Sequence, residues 1–90
     1  MANLYKTNGE VLEVIPKNGT DFSLEELQCF VGGYIELVNL NDDEIMIVNE
    51  EGKLDNLPYN QKATEHLLAK VNGFDVIVGD ALVCKRKEVR

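Results

Sequence analysis

Glu44-Ile45-Met46-Ile47-Val48-Asn49 is the stretch on which the fold turns. Its β-branched side chains favour extended backbone, and the four inner positions, Ile45 to Val48, are apolar in succession. Successive side chains of a strand point to opposite faces. Ile45 and Ile47 therefore need cover on one side and Met46 and Val48 on the other, the pattern of a strand buried within a sheet.

Working outward, Tyr34 to Leu40 is a second strand-like run, joined to the first through the polar turn Asn41-Asp42-Asp43, so a hairpin is expected. Upstream, Ser23-Leu24-Glu25-Glu26 forms a capping box flanked by the staple residues Phe22 and Leu27. A helix from Ser23 to Val31 follows, with Leu24, Leu27 and Val31 as its apolar stripe and Gly32-Gly33 as its stop. Nearer the start, Leu4 to Thr7 and Glu10 to Pro16 flank Asn8-Gly9, the pair best suited to a tight hairpin turn. Pro16 ends that second strand.

Downstream, Glu50 to Tyr59 reads as a loop, and Gln61 to Val71 carries Ala63, Leu67 and Val71 at helical spacing behind the cap Asn60. Asn72-Gly73 breaks that helix, and Val76 to Val78 and Ala81 to Cys84 return to strand. Gly79-Asp80 between them is either a hairpin turn or a bulge in one long strand. The expected class is α+β, a mainly antiparallel sheet with two helices packed on one face. Residues 1–84 form one domain and residues 85–90 a short basic tail, as a solvated end or an electrostatic arm. Two helices on one face leave the other bare. A homodimer is the simplest cover, and the N-terminal hairpin folding back is the rival.

At 90 residues the chain is long enough for one core and no more. Its net charge of −7 opposes nucleic acid and anionic lipid, and residues 1–84 alone hold five basic against fifteen acidic side chains. No apolar run approaches the ~18 residues of a membrane span. Met1 to Tyr5 leads straight into strand-like sequence with no signal-peptide pattern, so a cytoplasmic setting is expected.

Chemistry is thinly supplied. His66 is the sole histidine, at the edge of the second helix's stripe. Cys29 and Cys84 lack the spacing of a zinc or redox motif and read as small core residues, though one disulfide between them is conceivable in principle. The acidic clusters Asp42-Asp43-Glu44 and Glu50-Glu51, and Asp75 with Asp80, lack the alternation of a calcium loop. No phosphate-binding glycine motif is present, since Gly32-Gly33 follows a helix instead of preceding one. The reading is a non-enzyme with no cofactor and no metal.

Four ordered motifs carry a resemblance: Val31-Gly32-Gly33-Tyr34-Ile35-Glu36, Asn49-Glu50-Glu51-Gly52-Lys53-Leu54, Leu57-Pro58-Tyr59-Asn60 with Ala63-Thr64, and Ile77-Val78-Gly79-Asp80. Over Glu10 to Cys84 the chain resembles the domain of unknown function 3846, small proteins of phages, prophages and mobile elements. The resemblance implies a host-cytoplasmic accessory protein and brings no catalytic residues with it. Within these motifs the polar Glu36, Glu50, Asn60, Thr64 and Asp80 have the weakest structural reasons, and with Tyr34 and Lys53 they make the expected ligand or partner site. The expected function is binding of a protein partner, with a small ligand such as a nucleotide signal as the alternative.

Overall fold

The computed structural model describes residues 2–71 and 75–89. The chain runs β1 (Ala2–Tyr5), β2 (Val11–Val14), α1 (Leu24–Val31), β3 (Ile35–Asn39), β4 (Glu44–Asn49), α2 (Gln61–Lys70) and β5 (Ala81–Lys85). The strands form one sheet in the order β2-β1-β5-β4-β3, with neighbours antiparallel throughout. The α+β class and the antiparallel sheet are as the sequence leads one to expect. The expected break at Asn72-Gly73 lies outside the described residues.

The helices do not share a face. Ile45 and Ile47 of β4, with Leu82 and Cys84 of β5, pack against Leu27 and Val31 of α1 and against Phe22. Met46 and Val48, with Ala81 and Val83, pack against Ala63 and Leu67 of α2. The sheet is the middle of three layers, with each alternate set of β4 side chains covered by its own helix. The expectation of both helices on one face is thus corrected, and the reason for a dimer, a bare apolar sheet face, is removed. Two crossovers produce this arrangement. The β2-to-β3 connection carries α1 over one face from edge to edge, and the β4-to-β5 connection carries α2 over the other.

Local signals explain the helix ends. Glu26 N–H donates to Ser23 Oγ at 3.2 Å and Ser23 N–H to Glu26 Oε1 at 2.9 Å, the reciprocal capping box. Gly32 takes φ +78° as the left-handed stop of α1.

The stretch Val76 to Val78, expected as strand, is not one; its sole pairing is an isolated bridge between Tyr59 and Val78. Ile77 N–H donates to Thr64 Oγ1 at 2.8 Å, and the Ile77 carbonyl accepts from Asn60 N–H at 2.8 Å, so its backbone is held by the start of α2. Gly79-Asp80 is accordingly neither a hairpin turn nor a strand bulge. Gly79 makes a left-handed corner at φ +76°, where a Cβ would meet Leu57 Cδ1 at 2.8 Å.

The basic end is folded in. Lys85 closes β5, Arg86–Glu88 is a 3-10 turn, and Val89 bridges Phe22 and packs on the α1-side core. Phe22 N–H donates to the Glu88 carbonyl at 2.6 Å, and Glu88 is buried. The acidic β3–β4 turn receives the cations: Lys85 Nζ lies 2.7 Å from Asp43 Oδ2, and Arg86 donates to Asn39 Oδ1 at 2.9 Å. The expected tail of residues 85–90 is therefore part of the domain as far as Val89. Its charges answer a surplus of carboxylates that the sequence leaves uncompensated on that turn.

Candidate functional site

The residues singled out from the sequence separate into two groups. Glu36 on β3, Glu50 just beyond β4 and Lys53 in the following loop border one cleft of about 210 Å³, floored by Val48 and Ile77. Tyr34 stands beside it, 66% exposed, with its carbonyl accepting from Glu50 N–H at 2.8 Å. Across the cleft Lys53 Nζ meets Asp75 Oδ1 at 2.7 Å, and that hydrogen bond, helped by the Val76 amide, holds the Asp75 carboxyl below its ordinary range. The lysine's charge is answered within the protein, and Glu36 and Glu50 leave the rim net negative. Such a cleft disfavours an anion.

Asn60, Thr64 and Asp80 lie elsewhere and hold the fold together. Asn60 is fully buried, donating to the carbonyls of Tyr5 at 2.8 Å and Gly79 at 2.9 Å while accepting from Ala63 N–H at 3.1 Å. Thr64 anchors Ile77 as described above. Asp80 accepts from Thr7 N–H at 3.0 Å and pairs with Lys6 at 3.3 Å, fixing the first hairpin to the start of β5. The sequence lacked a structural reason for these three polar residues, and the tertiary contacts supply one.

The titratable pair with defined geometry is Tyr5 and His66. Tyr5 Oη lies 3.4 Å from His66 Nδ1, and His66 Nε2 is buried without a partner. Burial lowers the His66 pKa, the Lys70 charge lowers it further and Glu44 opposes both. Burial likewise raises the Tyr5 pKa, and the Glu44 charge adds to it. Both groups resist ionisation. Among the described residues no three of His, Cys, Asp and Glu are grouped to hold a metal ion.

The sequence reading missed a larger hollow. Between α1 and the end of β2 lies a groove of about 560 Å³, lined by Val14, Ile15, Cys29 and Phe30 with Lys17, Glu25 and Glu26 at the rim. Cys29 is exposed here, in contrast to the core place expected for it, whereas Cys84 is buried; both are free thiols. Ile15 is 66% exposed and Leu24 56%. β2 is an edge strand, with β1 on one side and no strand on the other among the described residues. Edge position depends on pairing across the chain, so no local pattern around Ile15 announces it.

No described helix is long and apolar enough to cross a membrane. Neither the curated proteins nor the solved structures contain a match to this chain. A family model does match, over residues 4–89, nearly the whole length. Its span takes in both hairpins, both helices and the folded basic end, the same unit that packs as one three-layer domain. The chain belongs to the family described as a domain of unknown function, DUF3846.

Proposed function

We propose that this protein is a binding module, not an enzyme, that takes a segment of a protein partner in the groove between α1 and β2. The observation that carries the reading is the groove itself: about 560 Å³, floored by Val14 and Phe30, opening beside the exposed Ile15. A hollow of this volume falls in the range of clefts that bury a bound group. Exposed apolar side chains gathered at a concave site mark interaction surfaces more often than single scattered ones do. His66 faces the Tyr5 hydroxyl through Nδ1 and has Nε2 buried, and neither residue lines this groove. The setting proposed, an accessory protein of a phage or mobile element working in the host cytoplasm, follows from what the family resemblance implies.

Affinity capture from host lysate tests the reading when run with matched variants. Ile15→Asp should lose a protein that both the wild type and Leu54→Asp retain, Leu54 being 81% exposed and lining the other cleft. A capture profile indifferent to Ile15→Asp overturns it. The second reading, a small ligand, is favoured by the meeting of Glu36, Glu50 and Lys53 around one cleft. Native mass spectrometry of the purified protein would reveal it as a bound mass released by Glu36→Ala.

A further inference from the structure

The outer edge of β2 carries more information than the groove alone. Its ladder with β1 begins where Lys6 N–H donates to the Glu10 carbonyl at 2.8 Å. Antiparallel pairs alternate between bonded and non-bonded, and the register sets Leu4 opposite Leu12 and Ala2 opposite Val14. The backbone groups of Leu12 and Val14 thus turn toward β1, and those of Val11 and Glu13 turn outward. An unpaired edge of this kind is a template for another extended segment. The strand has four residues, about 13 Å at the usual rise, so a short segment fills it.

Charge narrows the occupant. Glu13 is exposed and projects from β2 on the face opposite Val14, while Glu25 and Glu26 rim the groove beside the single Lys17, within a chain of net charge −7. A second copy pairing β2 to β2 adds another chain of net charge −7 at this edge, and a register that sets Glu13 opposite Glu13 faces like charges across the ladder. A segment with Lys or Arg flanking an apolar residue meets the same carboxylates favourably.

Resting on the binding reading above, we infer that the occupant is an extended, basic segment of a partner protein, added along β2 with an apolar side chain seated between Ile15 and Phe30.

The test is panning of a displayed random-peptide library on the wild-type protein, followed by affinity measurement and backbone hydrogen exchange with the enriched peptides. Enriched sequences should carry Lys or Arg beside apolar residues and should bind more weakly as salt rises. They should slow exchange at Val11 and Glu13, and bind Glu13→Lys roughly fivefold more weakly. Circular dichroism of that variant should match the wild type, because Glu13 is exposed. Three results each overturn the inference: enrichment without basic residues, protection appearing on β3 or in the Glu36 cleft instead, or no enrichment at all. A dimer in sedimentation equilibrium that protects Val11 and Glu13 makes a second copy the occupant and also overturns it. Enrichment without basic residues sinks only the inference and leaves the binding reading standing; that reading fails on its own terms if partner capture ignores Ile15→Asp.

Discussion

The side-chain amide of Asn60 donates to the backbone carbonyl of Tyr5 at 2.8 Å across 55 positions of sequence, joining the start of α2 to the end of β1. Its second hydrogen goes to the Gly79 carbonyl and its oxygen accepts from Ala63 N–H. One buried amide thereby caps a helix and satisfies two distant carbonyls, a set of three bonds that only an amide of this length provides.

Asn60→Ala should destabilise the protein by about 2–4 kcal/mol, combining loss of a helix cap with two carbonyls left unsatisfied in the interior. Asn60→Asp separates the two roles. Its carboxylate still caps but cannot donate, so denaturant melts should place it near Ala; a melt near wild type would mean that capping alone matters.

Ser23→Ala removes one half of the capping box on α1 and should cost about 1 kcal/mol. Glu26→Gln keeps a side chain able to accept from Ser23 N–H and should cost less. Equal losses in chemical denaturation would show that the second carboxylate oxygen, which accepts from Lys17 N–H at 3.0 Å and which Gln lacks, also counts.

Acid should weaken the fold through His66. Burial first, then the Lys70 charge, lowers its folded pKa against the opposing Glu44. The unfolded chain, titrating near ~6.5, takes up a proton that the folded one resists, so stability is full above that value and falls as pH drops through it. The lowered carboxyls of Glu26, Asp43 and Asp75 lose their contribution only at lower pH, below about 4.5. Melts between about pH 7 and 5 should slope downward for the wild type and stay flat for His66→Phe. Parallel slopes would remove His66 as the cause.

The two thiols should differ sharply in reactivity. Burial pushes the Cys84 pKa up to about 12, with the Glu88 charge adding to it, and the side chain lies in the core. Cys29 is exposed in the groove. A thiol-specific dye should label one cysteine promptly in native buffer and the second only in denaturant, because the thiolate is the reacting form. A groove-bound peptide should slow the first labelling.

The local elements were written in local sequence. The capping box at Ser23, the Gly32 stop, the Asn60 cap and the four-residue apolar run of β4 each rest on contacts within a few positions, where propensity and hydrogen bonding act directly. The same run required that both faces of β4 be covered, and the structure covers both. Which element covers which face was not written there, because two amphipathic helices fit one face or opposite faces equally well by pattern. That choice is made by the crossovers, which carry α1 and α2 over opposite sides of the sheet. The segment Val76 to Val78 has strand composition, yet Thr64 and Asn60 claim its backbone. Glu36, Glu50 and Lys53 meet at one cleft, but Asn60, Thr64 and Asp80 turn inward to bonds that span 13 to 73 positions. The groove beside Ile15 exists because β5 is inserted between β1 and β4 and leaves β2 at the edge. Strand order is set by long-range pairing, and a one-dimensional pattern holds no record of it.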